Sequence, residues 1–157
     1  MSASAVSADP RDPAFQALPS IRFFDGRGAN KPWLCEIPDP LQRIAWQTPV
    51  AMHPDTAKSR RIQQEDIIDI QSKNGRLKAA VVLSELVVPG LLVMDVGQGH
   101  QWQDPKTPVI GLNPLHLLSG TAQPESGGLN LTTSSIEIQK TGHRMKLAST
   151  SGSRVQL

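Results

Sequence analysis

The chain has 157 residues, of which 38% are hydrophobic and 19% charged, enough to bury one core. A formal net charge of +2 and an aromatic content of 4% argue against a nucleic-acid surface built from cations and stacking rings. One cysteine, Cys35, excludes an internal disulfide, and four widely spaced histidines disfavour a zinc site. No run approaches the roughly 20 apolar residues of a membrane helix.

The N-terminal part of the chain is polar and rich in prolines. The opening MSASAVSADPRDPA lacks the basic start and apolar centre of a secretory signal. We expect residues 1–20 to be a disordered leader and residues 21–157 to form one domain. IRFF (21–24) predicts a short strand and DGRGAN (25–30) a two-glycine turn. Three prolines in KPWLCEIPDP (31–40) predict an irregular, extended loop.

Strand and hairpin signals follow along the chain. RIAWQTPVAMH (43–53) again has strand character, and Pro54 fits the first turn of a short helix. The apolar runs 67–72 and 77–83 flank Asn74-Gly75, which predicts a hairpin with positive φ at both central residues.

The second half of the chain shows the same pattern. A strand is predicted at 91–96, followed by a polar loop that starts with GQGH (97–100). SSIEIQK (134–140) and HRMKLAST (143–150), separated by Thr141-Gly142, predict a last hairpin. Six or more short strands, one short helix and no alternation of strand and helix predict an all-β, closed or nearly closed fold.

The sequence carries few catalytic motifs. It has no G-x-S-x-G elbow, no Walker loop and no dinucleotide fingerprint between a strand and a helix. What remains is four loop tips with glycine or proline: DGRGAN, AMHPDTA, GQGH and GLNPLH. Such tips can present backbone N–H groups to an anion such as a diphosphate. The alternative is that they are only turns of the barrel.

The residues from about Val50 to His116 resemble a known family. AMHPDTA, QQEDIIDIQSKNGRLKAAVVLSELVVPGLLVMDVGQGH and GLNPL are similar, in order and spacing, to the C-terminal dinucleotide-binding domain of molybdopterin oxidoreductases. FFDGRGANKPWLCEIPDP and KTGHRMKLAST resemble the molybdopterin-oxidoreductase-like subunit of bacterial alternative complex III. The fold implied is a double-psi β-barrel with one or two short helices, in agreement with the all-β prediction.

The resemblance implies a cofactor site at the barrel rim. The corresponding positions are Gly26, Arg27, Gly28, His53, Asp55, Gly97, Gly99, His100 and Asn113. Glycines would let a dinucleotide approach the backbone, Arg27 would form a fork on a phosphate, and Asp55 or Asn113 would hydrogen-bond a guanine or pterin edge. Two positions depart from the family pattern: His53 stands where Asn is usual, and Glu65 replaces the Gly of an Asp-Gly-Asp turn.

Two functions follow from the resemblance. The first is a domain that binds molybdopterin guanine dinucleotide within a larger respiratory oxidoreductase and is not catalytic alone. The second is a cofactor-free structural and docking barrel of a membrane-associated electron-transfer complex, because the alternative complex III subunit is not expected to hold the cofactor. A free-standing barrel hydrolase or decarboxylase is a third option, disfavoured by the lack of a convergent nucleophile and base.

The implied partners are the remainder of the parent oxidoreductase and its iron–sulfur and membrane subunits, with neither nucleic acid nor direct membrane insertion. The implied location is the periplasmic face of the bacterial inner membrane, within such a complex.

Overall fold

The structure, a computed structural model, describes residues 12–100 and 110–150. Within them the elements are, in chain order, β1 (Ala14–Leu18), α1 (Pro32–Glu36), β2 (Val50–Met52), α2 (Pro54–Ser59), β3 (Asp66–Gln71), β4 (Arg76–Leu83), β5 (Leu91–Asp95), a 3₁₀ helix (Pro114–Leu117), β6 (Thr132–Thr133) and β7 (Glu137–Arg144). The predicted class, an all-β barrel with one or two short helices, is confirmed.

The strands form one mixed sheet that rolls up on itself. Their order is β6-β1-β5-β2-β4-β3-β7, so β6 and β7 are the two edges. Only residues 134–136 separate these strands, and Thr133 to Glu137 can span at most about 14 Å. In a flat sheet, six strand spacings of about 4.8 Å would put the edges about 29 Å apart. The N–H of Ile136 also donates to the carbonyl of Pro13 at 3.2 Å, which attaches the β6–β7 connection to the residue before β1.

Alternate residues of the strands fill the interior of the barrel. The fully buried side chains are mostly aliphatic, as the low aromatic content predicts. They include Phe15, Val50, Met52, Ile68, Ile70, Val81, Leu92 and Met94. The outward residues Ala51, Val82 and Val93 form a second buried cluster with Ile44 and Leu147. The central strands are therefore covered on both faces, which explains their nearly continuous apolar sequence.

Two carboxylates of β3 fix its neighbours in register. Asp69 accepts two hydrogen bonds from the Arg76 guanidinium of β4, at 2.6 and 2.7 Å. Asp66, which is 1% exposed, forms an ion pair with Lys140 of β7 at 2.7 Å. Because a register shift would leave these buried carboxylates unpaired, the ion pairs favour the observed alignment.

The N-terminal predictions need three corrections. Ala14–Leu18 is β1, inside the predicted leader; its apolar residues face the core and it pairs in parallel with β5. Residues 21–24 form a tight turn instead of a strand, because Ser20 and Phe24 exchange two backbone hydrogen bonds. Pro32–Glu36 is α1 instead of irregular loop, since Pro32 occupies the first helical turn, where its missing N–H is harmless. Residues 1–11 lie outside the described residues.

Of the predictions for the rest of the chain, some are confirmed and one is wrong. The helix that follows His53 is confirmed as α2, and the 67–83 hairpin as β3 and β4. The last predicted hairpin is wrong. β7 continues through Gly142, and the register with β3 shifts there, so Thr141-Gly142 is an irregularity within one strand. The hydroxyl of Thr141 donates to the Ile67 carbonyl at 2.7 Å, which keeps the strand attached.

The turn of the first hairpin differs from its prediction. Neither Asn74 nor Gly75 has a positive φ. The N–H groups of both residues donate to the hydroxyl of Ser72, which closes the turn from within. Glycine is needed at position 75 for a different reason: a Cβ there would collide with the carbonyl oxygen of His116.

We predict that Gly75→Ala destabilises the domain by about 1–3 kcal/mol, because the 3₁₀ helix must move away from the turn. Chemical denaturation measures this difference. Gly128→Ala is the matched control, since a Cβ at this exposed position meets only the flexible Ser126 hydroxyl at 3.3 Å. Equal stabilities of the two variants would contradict the steric role of Gly75.

Candidate functional site

Three of the four predicted loop tips meet at the end of β5. A Cβ on Gly97 would lie 3.3 Å from the nitrogen of Gly26 and 2.8 Å from the Cβ of Phe23. A Cβ on Gly99 would collide with the backbone of Leu112 and Asn113. The glycines therefore permit close backbone packing between loops that are distant in sequence. We call this end of the barrel the glycine rim, comprising residues 26–28, 97–100 and 111–113.

The fourth predicted tip lies elsewhere. β2 runs antiparallel to β5 and pairs Met52 with Leu92, so His53 lies beside the start of β5. The glycine rim follows the other end of β5, and Leu91 to Gly97 span about 20 Å. The prediction that His53 and Asp55 join the other loop tips is therefore wrong. The short hydrophobic pattern of β2 did not reveal the direction in which it pairs.

Helix capping explains two of the predicted site side chains. Nδ1 of His53 accepts the N–H of Asp55 at 3.1 Å and caps α2, a role that Asn also performs well. Asn113 Oδ1 accepts the N–H of Leu115 at 3.1 Å and caps the 3₁₀ helix. The Asp55 side chain is 77% exposed. His53, which stands where the resembled family usually has Asn, therefore acts as the N-cap of α2.

Arg27 projects from the rim into solvent, with 73% of its side chain exposed. Its guanidinium donates to both carboxylate oxygens of Asp25, at 3.0 and 2.9 Å, and lies over the Phe24 ring. These hydrogen bonds lower the pKa of the Asp25 carboxyl. A phosphate would therefore have to replace Asp25 to be held by the Arg27 fork.

The remaining predicted rim residues, Gly28 and His100, differ in their exposure to solvent. Gly28 is buried, and a Cβ there would lie 2.9 Å from Leu34. His100 is exposed and, with Asn30 and Cys35, lines a cavity of about 100 Å³. Residues 101–109, which include most of the predicted polar loop, lie outside the described residues.

The backbone of residues 97–99 supplies the free donors of the rim. The N–H of Gly99 donates to the Ile110 carbonyl at 2.9 Å and is engaged. The N–H groups of Gly97 and Gln98 make no hydrogen bond within residues 12–100 and 110–150. Gly97 and Gly99 have φ values of 110° and 79°, which allow this tight turn. Consecutive backbone N–H groups in a turn can form an anion-binding concavity.

A buried side-chain network that the sequence analysis missed holds the rim together. Gln98 is 6% exposed, and its Oε1 accepts the Thr48 hydroxyl proton at 2.7 Å. Thr48 Oγ1 in turn accepts the N–H of Leu112 at 3.2 Å. The Gln98 amide donates to Cys35 Sγ at 3.7 Å. A glutamine between two glycines gave no signal in the sequence that it would be buried.

A group of charged residues lies just below the rim. Arg22 donates to the Ile37 carbonyl at 2.7 Å, and Asp39 is buried. Burial, followed by repulsion from Asp39, raises the pKa of Asp95 to about 6, although Arg22 acts in the opposite direction. Asp95 therefore holds a proton in the folded state at a pH where an ordinary carboxyl is ionised.

The described residues contain neither a metal site nor a membrane-spanning helix. No three histidine, cysteine or carboxylate side chains there are placed to hold a metal ion. No helix there is long and apolar enough to cross a membrane.

Comparison with known proteins decides the family. Residues 39–148 match the family model described as "Molydopterin dinucleotide binding domain". The chain belongs to this molybdopterin-dinucleotide-binding family. The structure is also similar to acetylene hydratase from Pelobacter acetylenicus, with a TM-score of 0.61 and 22% identity over 82% of this chain. The match covers only 18% of that protein, and at this identity it shows the fold alone.

We predict that Thr48→Val destabilises the domain by about 1–3 kcal/mol, because it leaves the Leu112 N–H and the Gln98 amide oxygen without their partner. Thr48→Ser keeps the hydroxyl and is the matched control. Urea denaturation compares the three proteins. The network has no energetic role if Val and Ser at position 48 give the same stability.

A second prediction follows from the raised pKa of Asp95. Because the folded-state pKa of about 6 exceeds the usual aspartate pKa of 3.8, ionisation of Asp95 costs stability as the pH rises between these values. Asp95→Asn should therefore stabilise the domain at pH 7.5 by about 1–3 kcal/mol and by clearly less at pH 4.5. Denaturation at both pH values measures this, with exposed Glu85→Gln as the control. A gain that is independent of pH would contradict the assignment.

Proposed function

We propose that the chain is the domain of a larger molybdopterin oxidoreductase that forms one wall of the cofactor cleft, and that it is not catalytic alone. The main support for this proposal is that Gly26, Gly97, Gly99 and Asn113 lie together at one rim in a member of this family. The ligand proposed is molybdopterin guanine dinucleotide. When bound in the complete protein, this group supplies the redox chemistry of its metal.

The rim has the donors that a diphosphate requires. The N–H groups of Gly97 and Gln98 are consecutive and have no partner among the described residues, and the buried Gln98 side chain fixes the backbone that carries them. Arg27 is close in sequence to Gly26 and exposed, so its fork is available to a phosphate that replaces Asp25. We assign His53 and Asp55 no part in this site, because they lie beside the start of β5.

The rest of the proposal concerns the assembly. We propose that the other wall of the cleft belongs to the remainder of the parent oxidoreductase, which works with iron–sulfur and membrane subunits in respiratory electron transfer. We propose a place on the periplasmic face of the bacterial inner membrane, as for the alternative complex III subunit that the flanking motifs resemble. The acetylene hydratase match supports the proposal of a larger parent protein, since a domain of this fold occupies only 18% of that chain.

A cofactor-free docking barrel is the second candidate. Two observations favour it: Arg27 is engaged with Asp25 through two hydrogen bonds, and the Asn113 side-chain oxygen caps the 3₁₀ helix. In this case the glycines serve only the packing of one loop against another. The two candidates differ in whether the rim binds a dinucleotide.

Titration of the ¹⁵N-labelled chain with GMP, GDP and extracted pterin dinucleotide tests the proposal. We expect amide shifts at residues 26–28, 97–100 and 113, and none at residues 53–55. The affinity should be weak, with a Kd of roughly 1 mM, because a ligand held on one side stays largely hydrated. Added salt should weaken the binding of GDP through the exposed Arg27.

Arg27→Ala should weaken the binding of GDP several-fold, because it removes a phosphate fork. Arg144→Ala is the matched control, since Arg144 is 59% exposed and pairs with Asp66 at the far end of β7. An absence of shifts with every nucleotide would favour the cofactor-free barrel. Turnover of a substrate by the chain alone would contradict an accessory role.

A further inference from the structure

An open apolar groove runs along the outside of the barrel, below the glycine rim. It has a volume of about 550 Å³ and lies between β5, the loop that joins β4 to β5, and the loops at 19–21 and 39–42. Large aliphatic side chains stand exposed along it: Leu86 at 79%, Leu41 at 67%, Ile21 at 58% and Val88 at 55%. Such a concentration of exposed aliphatic residues is typical of an interaction surface.

An acidic side chain lines this apolar groove. The carboxylate of Asp95 belongs to the lining and makes no hydrogen bond or ion pair with the described residues, 12–100 and 110–150. The neighbouring Asp39 differs, because its Oδ1 accepts the N–H groups of Leu41 and Gln42. Arg22 donates through Nη1 to the Ile37 carbonyl, and its positive charge attracts Asp95 without forming an ion pair with it. The groove therefore combines apolar walls with a carboxylate that has no hydrogen bond or ion pair among the described residues.

We propose that this groove binds a polypeptide segment with aliphatic side chains and one Lys or Arg that pairs with Asp95, supplied by the parent oxidoreductase outside this domain. The aliphatic side chains cover Leu41, Leu86 and Val88, and the cation replaces the water lost from the carboxylate. The proposal that the parent oxidoreductase supplies the segment rests on the proposed function. The proposal that the segment carries aliphatic and basic side chains rests only on the residues that line the groove.

Charge complementarity and position identify the occupant. The charged side chains that line the groove, Asp39 and Asp95, are both acidic, so an acidic segment is repelled. Asp95 precedes Gly97 by two residues, so a segment that reaches Asp95 also arrives at the glycine rim. Docking here would place the rest of the parent protein beside the proposed cofactor wall. The short coverage of the acetylene hydratase chain is consistent with such an attached partner.

The test uses two short peptides that differ only in charge: acetyl-Leu-Leu-Arg-amide and acetyl-Leu-Leu-Glu-amide. Methyl-group NMR on the full chain follows Leu41, Leu86 and Val88 during each titration. At pH 7.5 we expect the Arg peptide to bind about fivefold more tightly than the Glu peptide, as for a partly desolvated charge pair. At pH 4.5, with Asp95 protonated, the ratio should fall toward one.

Matched variants separate charge from contact. Asp95→Asn should remove the preference for Arg without moving the site of the methyl shifts. Leu86→Ser should weaken both peptides equally, whereas Leu129→Ser, at a residue 44% exposed outside the groove, should leave both unchanged.

Three results would overturn the proposal: equal affinities at pH 7.5, methyl shifts outside the groove, or concentration-dependent self-association that covers Leu86. The last result would identify a second copy of the chain as the occupant. Because the nucleotide titration is followed at residues 26–28 and 97–100, failure of the cofactor site and failure of the groove are measured separately.

Discussion

The connection between β6 and β7 constrains the whole molecule. Residues 134–136 must join the two edges of a seven-stranded sheet, so the sheet has to curl until those edges meet. Curling gives every strand an inner face, and the barrel interior is then filled by side chains from the strands themselves. A chain with few aromatic residues can form such a core, because aliphatic residues from many short strands converge on one axis.

Barrel closure also determines where the loops lie. The parallel pairing of β1 with β5 carries the loop after β1 to the same end as the loop after β5, so Gly26 and Gly97 meet. The antiparallel pairing of β2 with β5 brings the start of β2 to that end, and Thr48 reaches Gln98. The same pairing carries His53 away. The composition of the glycine rim is therefore a consequence of strand direction.

The buried carboxylates of the molecule differ in whether a cation lies beside them. Asp66 and Asp69 are buried with cations beside them, and these pairs hold β3 between β4 and β7. Asp95 is partly buried, its carboxylate has no ion pair among the described residues, and burial raises the pKa of this carboxyl. A buried carboxylate without an ion pair lowers the stability of the domain. A partner that supplies a cation would recover this stability. Asp95 thus lies in the groove two residues before Gly97 of the glycine rim.

The sequence by itself determined the all-β class, the 67–83 hairpin, the α2 helix and the family, because these depend on short-range pattern and ordered motifs. It misjudged β1, α1 and β7, since a five-residue strand or a bulged strand carries a weak local signal. Only the tertiary structure decided that His53 lies away from the rim, that Gln98 and Thr48 support the rim and that Asp95 is partly buried beside Asp39. These facts depend on which strands become neighbours, and closure of the barrel fixes that through contacts between residues far apart in sequence.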